Sequence, residues 1–208
     1  MAQYFGIHPD NPQPRLLQQA AEIIRGGGIV ALPTDSSYAL ACHTGDKDAL
    51  ERLRQIRGID DRHHLTLMCR NLADIGQFAR VDNACYRLLK SATPGSYVFI
   101  LEGTRELPRR ILHPKRKTIG LRIPDHRVIQ ALLEVLGEPL LTTTLQLPGD
   151  ESPMTDAWEI RERLDKLVDL VLDGGSCGTD STTVIDLTGQ SPEVVRAGRG
   201  PLEPLGLA

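Results

Sequence analysis

Helix-spaced apolar stripes and short strand-like apolar runs alternate along the whole 208-residue chain. That alternation restricts the fold more than any other feature. The stretch PRLLQQAAEIIRGGG has apolar residues at 16, 17, 20, 21, 23 and 24, a one-sided helical pattern. Pro14 suits its first turn and Gly26-Gly27-Gly28 ends it. Residues 29–33 then read as a buried strand. DKDALERLRQIRG, DNACYRLLKSA, HRVIQALLEVLG and DAWEIRERLDKL read as further helices, the last with Asp156 and Glu159 at capping-box spacing. LTLMC, SYVFIL, KTIGLRI, PLLTTTLQL, VDLVLDGG, TTVIDL and EVVRAG read as strands. Intermixed elements predict an α/β (α+β) layered architecture around one open, twisted, mixed β-sheet with flanking helices. We expect a single domain over residues 1–208, with its core at about 15–200 and a flexible C-terminal tail, GPLEPLGLA.

Three of the strands break abruptly into hydroxyl side chains. Ile29-Val30-Ala31-Leu32 meets Pro33 and becomes Thr34, Asp35, Ser36 and Ser37; Leu140-Leu141 becomes Thr142, Thr143 and Thr144; Ser181-Thr182-Thr183 opens the TTVIDL strand. Each cluster alone is also what a polar turn or a threonine-rich strand gives. Together they predict a hydroxyl-lined crevice at strand ends, where open α/β sheets bind ligands. Arg57 lies past an amphipathic helix near Arg62, His63 and His64, Arg122 ends the KTIGLRI strand, and Arg196 sits in VVRAG near two glycines; a guanidinium fork matches carboxylate and phosphate oxygens in pairs.

Charge is unevenly spread. The net charge is −3, yet Arg105 to Arg127 holds eight Lys or Arg against only Glu106 and Asp125. Such a patch on an acidic chain points to an anionic partner at one place. No run approaches a membrane span, and the N-terminus lacks the order of a signal peptide, so a cytoplasmic protein with no membrane partner is expected. The four cysteines are scattered, and no metal-ligand spacing appears. His63-His64 has no supporting carboxylate pattern and reads as an exposed pair beside a loop. There is no P-loop, no dinucleotide fingerprint and no G-x-S-x-G elbow. With no catalytic nucleophile in view, chemistry by positioning and charge neutralisation fits best.

The segments GGGIVALPTDSSYAL, TPGSYVFIL, IGLRIPDH, PLLTTTLQLPG, TTVIDLT and VVRAGRG, in this order, resemble the YrdC/YciO family, which includes the threonylcarbamoyl-AMP synthases. HPDNPQPRLLQQA, LTLMCR and HPKRKTIGLRIP are most similar to its YciO branch. The resemblance implies a YrdC/RibB-like fold with a concave basic face. It implies ATP with Mg²⁺, L-threonine and bicarbonate as substrates, and threonylcarbamoyl adenylate with pyrophosphate as products, linked to modification of tRNA adenosine 37. By the same resemblance, Thr34, Tyr38 and Arg122 would meet the substrate. Arg57, Thr142, Thr144, Thr182 and Arg196 would meet the nucleotide.

Two positions depart from the family pattern. Gln55 stands where a Lys-x-Arg motif has lysine, and Leu145-Gln146 stands where Ala-Asn is usual. Loss of one charge-assisted phosphate contact weakens transition-state stabilisation by roughly 1.5–3 kcal/mol. The alternative function is therefore double-stranded RNA or tRNA binding with catalysis reduced or absent. Arg109, Arg110, Lys115, Arg116 and Lys117 would carry it, through phosphate contacts.

Overall fold

The computed structural model describes residues 1–207. Among them are ten strands: β1 Gln3–Gly6, β2 Val30–Leu32, β3 Ala39–His43, β4 Thr66–Met68, β5 Tyr97–Glu102, β6 Thr118–Arg122, β7 Leu140–Thr144, β8 Leu170–Asp173, β9 Thr183–Asp186 and β10 Glu193–Arg196. They form one open sheet in the order β1-β8-β2-β3-β7-β4-β6-β5-β9-β10. It is mixed: β1 and β2 flank β8 in parallel, whereas β3, β7 and β4 pair antiparallel. Six α-helices accompany it: α1 Pro14–Arg25, α2 Lys47–Arg57, α3 Leu72–Phe78, α4 Asn83–Ala92, α5 Arg127–Leu136 and α6 Ala157–Leu164. None is long and apolar enough to cross a membrane.

Side chains alternate across each strand, so the two sheet faces can be read separately. One face carries Leu40, Leu67, Phe99, Ile119, Leu121, Leu141 and Ile185, and packs on apolar residues of α2, α3, α4 and α6 in a single core. The opposite face is divided. Over β8, β2 and the near part of β3, residues Leu32, Ala41, Leu170 and Leu172 pack beneath α1 and α5. Farther along the sheet that helical layer stops. There the same face presents Thr66, Val98, Ile100, Arg122, Thr142, Thr144 and Val184 to a cavity. The open, mixed sheet and flanking helices agree with the sequence expectation.

Local chemistry sets the boundaries. Pro14 opens α1, and Asp46, Asn71, Asp82 and Asp156 each accept a backbone N–H three residues on, at the starts of α2, α3, α4 and α6. Gly58 and Gly137 close α2 and α5 in the left-handed conformation, which a Cβ disfavours. Strands β1 and β3 and helix α3 go beyond the periodicity reading. β1 has four residues and α3 buries only Ile75, too little pattern to detect. Residues 200–207, read from the sequence as a tail, lie against the body. The Tyr97 hydroxyl donates to the Pro201 carbonyl at 2.7 Å, and Leu205 and Leu207 pack on the main core.

The two helix-closing glycines have different surroundings. A Cβ at Gly137 would meet nothing within 4 Å, so Gly137→Ala is expected to cost about 1 kcal/mol through left-handed strain alone. A Cβ at Gly58 would lie 2.7 Å from the stiff Pro148 ring, so Gly58→Ala is expected to cost about 2–3 kcal/mol. Urea denaturation of the two variants checks the difference.

Candidate functional site

The uncovered half of the sheet face forms the floor of a cavity of about 620 Å³. Its walls come from the turn after β2, the end of α2 and the loop beyond it, the end of β7, and the segments around β9 and β10. Segments far apart in sequence thus converge, and the three hydroxyl clusters do border one hollow.

The 34–37 turn distributes its polar groups among distinct tasks. Thr34 is buried: its Oγ1 accepts from the Ser36 and Ser37 amides at 3.1 and 3.2 Å and donates to the Ser37 carbonyl at 2.6 Å. Its hydroxyl therefore holds the turn and does not line the cavity, whereas Ser37 does. The Asp35 carboxylate pairs with the Arg122 guanidinium, both nearly inaccessible to solvent. The same carboxylate accepts from Ser96 Oγ and the Asp125 amide, each at 3.1 Å. Arg122 adds a long contact to Ser36 Oγ, at 3.4 Å, and its Nε has no partner among the described residues. Tyr38 borders the cavity, but its side chain is buried in the core and its hydroxyl donates to the Gly175 carbonyl at 2.8 Å. Burial pushes this phenol far above its usual pKa.

The residues that the family resemblance assigns to a nucleotide converge more fully. Arg57, Thr142, Thr144, Thr182 and Arg196 all line the cavity, with Arg122. Arg196 is aimed by Thr182: Nε donates to the Thr182 carbonyl at 3.0 Å and Nη2 to its Oγ1 at 3.2 Å. Thr142 donates to the Thr66 carbonyl at 2.9 Å, bracing β7 against β4. The Arg57 Nε is buried without a partner among the described residues. Burial lowers the pKa of both Arg57 and Arg196, but a guanidinium stays charged in proteins. Gln146 lines the wall with its Nε2 donating to the Asp150 carbonyl at 2.9 Å, whereas Gln55 is exposed and outside the lining.

Ser37, from the first hydroxyl cluster, lines the cavity as the sequence suggests; Arg62, His63, His64 and Thr66, to which the sequence gives no site role, line it too. The histidines had no motif to mark them; only the course of the loop after α2 brings them in. His64 Nε2 lies 2.8 Å from Thr118 Oγ1, and its ring stacks on His113 with centroids 4.9 Å apart. Burial first, then His113 and Arg116, lower its pKa. Among the described residues, the wall contains no Asp or Glu. No cluster of three His, Cys, Asp or Glu stands ready to hold a metal ion among those residues either.

The five basic residues of the RNA reading lie elsewhere. Arg109, Arg110, Lys115, Arg116 and Lys117 sit in the connection between β5 and β6, outside the cavity lining. Arg116 pairs with Asp186 and donates to Thr188 Oγ1 at 3.0 Å. Arg110 donates to the Gly45 carbonyl and Lys117 to that of Pro114.

A family model for Sua5/YciO/YrdC, described as "Telomere recombination", matches residues 22–198. The chain belongs to that family. It is 55% identical over 204 residues to the uncharacterized protein YciO of Escherichia coli, covering 98% of this chain and 99% of the relative. The crystal structure of E. coli YciO superposes with a TM-score of 0.95 over 99% of this chain and 100% of the other. The threonylcarbamoyl-AMP synthase of Bos taurus is 32% identical over 177 residues, or 85% of this chain and 59% of the synthase. P. abyssi Sua5 complexed with L-threonine is 26% identical, with a TM-score of 0.88 over 96% of this chain and 58% of that one. The family members' shared body therefore corresponds to nearly all of this chain, and the synthases extend beyond it.

The Asp35–Arg122 pair should dominate the local energetics. Removing one partner of a buried ion pair leaves the other charge uncompensated, so Asp35→Ala is expected to destabilise by about 3–5 kcal/mol. Asp35→Ala combined with Arg122→Met should recover part of that loss. Denaturation of the two single variants and the double variant measures the coupling.

Proposed function

We propose that the cavity is the active site of a threonylcarbamoyl-AMP synthase-type reaction. L-threonine, bicarbonate and MgATP would be the substrates. The observation that carries the reading is a wall holding Arg57, Arg62, Arg122 and Arg196 and no acidic side chain among the described residues, beside an apolar floor of Met68, Val98, Ile100 and Val184. Such a surface suits a polyphosphate joined to an aromatic base, and the volume falls in the usual range for ligand pockets. Kinship with the Bos taurus synthase supports the choice of reaction, and the L-threonine complexed with P. abyssi Sua5 supports threonine as the amino-acid substrate.

The threonine amine condenses with bicarbonate, losing water, to give a carbamate. A carbamate oxygen then attacks the α-phosphorus of ATP. The bond from that phosphorus to the bridging oxygen breaks, and pyrophosphate leaves with the electron pair. The chain's contribution is to orient the two anions and neutralise charge developing on the phosphates. Arg57 and Arg196 act on the polyphosphate, with Thr142, Thr144 and Thr182 as hydroxyl partners nearby. Arg122, already held by Asp35, has Nε free for a carboxylate oxygen. Magnesium is part of the substrate in this scheme, carried by ATP. A cavity wall rich in guanidinium and poor in carboxylate favours entry of the cation already bound to phosphate. The adenylate would then serve modification of adenosine 37 in tRNA.

The second reading, duplex RNA or tRNA binding by the β5–β6 connection, draws on Arg109, Arg110, Lys115, Arg116 and Lys117. Several of these cations are engaged with the chain's own oxygen atoms, which weakens its support.

Pyrophosphate release is expected only when threonine, bicarbonate and MgATP are all present, and Arg57→Ala and Arg196→Ala should each lower kcat/KM by roughly 10–150-fold. A coupled pyrophosphate assay measures both. Neutralising Arg109 and Lys115 together should leave that rate within about twofold, because exposed charges outside the site act weakly. Release that ignores threonine, or none at all, defeats the proposal.

A further inference from the structure

Helix α2 contributes one cation to the cavity, Arg57 at its last position, because Gln55 lies outside the lining. Gly58 then turns the chain in the left-handed conformation, and Arg62, His63 and His64 of the following loop join the same wall. Asp60 organises it: its carboxylate accepts the Arg62 amide at 3.0 Å, and its carbonyl accepts the His63 amide at 3.4 Å. Arg62 and His63 are delivered to the cavity by that turn. Neither side chain has a hydrogen-bond or ion-pair partner within the described residues.

We propose that this loop completes the polyphosphate seat. Arg62 acts as a permanent cation, and His63 becomes cationic only when the polyanion is bound. The proposal rests on the nucleotide reading of the cavity and adds two ligand-binding residues to it. The groups facing His63 are Arg57 from α2, Arg196 from β10, and Asp60 and His64 from its own loop. Partial burial and then Arg57 hold its pKa below the usual value; Asp60 opposes this and Arg196 adds to it. His63 is therefore neutral at pH 7–8. A bound triphosphate reverses the sign of its surroundings by offsetting both guanidiniums and adding negative charge. Imidazolium is then favoured, and one proton enters with the ligand. By linkage, affinity rises as pH falls from the bound to the free pKa of His63, by at most about tenfold per pH unit, and is flat outside that window.

The test is calorimetric titration of the full chain with MgATP, without threonine, in buffers of different ionisation enthalpy between pH 6 and 8. Wild type, His63→Asn and Arg62→Gln are compared. Because ATP ionises identically in all three titrations, differences belong to the protein. Wild type should take up about 0.5–1 proton more per ATP than His63→Asn near pH 7. Arg62→Gln should bind roughly tenfold more weakly with wild-type proton uptake. Equal uptake by wild type and His63→Asn, with ATP binding intact in both, overturns the role of His63 while leaving the nucleotide reading standing. Unchanged affinity in Arg62→Gln overturns the role of Arg62. No ATP binding to wild type at any pH overturns both the cavity's nucleotide reading and this inference.

Discussion

The sheet has more surface than its helices cover, and the site follows from that mismatch. One face is sealed by α2, α3, α4 and α6; on the other, α1 and α5 stop partway. Strand alternation means that each uncovered strand must still bury an apolar row on its sealed side. Its other row is then free to be polar. In β6, Ile119 and Leu121 face the core, while Arg122 faces the cavity; in β7, Leu141 faces the core, while Thr142 and Thr144 face the cavity. The polar groups can be changed on one side without disturbing the packing on the other. A ligand that fills the hollow supplies part of the layer that a further helix would have supplied.

Much of this was legible because the same alternation is written in the residues. The helical stripe of α1 and the glycines after α1 and α5 marked those elements and their ends. Hydroxyl clusters at strand ends and the spread arginines marked the crevice. Arg57, Arg122, Thr142, Thr144, Thr182 and Arg196 all border it. What the pattern leaves unwritten is side-chain direction inside turns. Thr34 and Ser37 are equally polar and three residues apart, yet one hydroxyl closes the turn and the other meets the cavity. Tyr38 precedes a strand, so its side chain takes the core side by parity. His63 and His64 enter only through the path of a seven-residue loop, which no local periodicity encodes.

The Asp35–Arg122 pair links the fold to the site. Arg122 is the most deeply buried arginine on the cavity wall, and burial of a lone guanidinium is unfavourable. Asp35 compensates it, and Ser96 and the Asp125 amide in turn satisfy Asp35. These contacts tie the β2–β3 turn to β6 and to the segments leading into β5 and α5. The floor of the cavity is thereby rigid where a carboxylate would dock. Arg57, Arg62 and His63 come from a helix end and a loop, so the side proposed for the polyphosphate has the less constrained groups.

The absence of acidic side chains from the described wall has a thermodynamic consequence. Arg57 and Arg196 are partly desolvated there, which disfavours their charged form, and among the described residues Arg196, unlike Arg57 and Arg62, has a protein oxygen to lean on. Holding these guanidiniums away from water is a cost to folding that the apolar cores must offset. A bound anion offsets that desolvation and satisfies N–H groups such as Arg57 Nε that otherwise lack a partner among the described residues. Ligand binding and fold stability then share one source, and stabilisation grows as RT ln(1 + [L]/Kd). The same electrostatics separates this wall from the β5–β6 connection. There, Asp186 and backbone carbonyls already engage Arg116, Arg110 and Lys117, so an added anion would compete with existing partners at three of the five cations. Number of basic residues is thus a poorer guide to an anion site than the balance of donors left without acceptors, and by that measure the cavity is the stronger of the two.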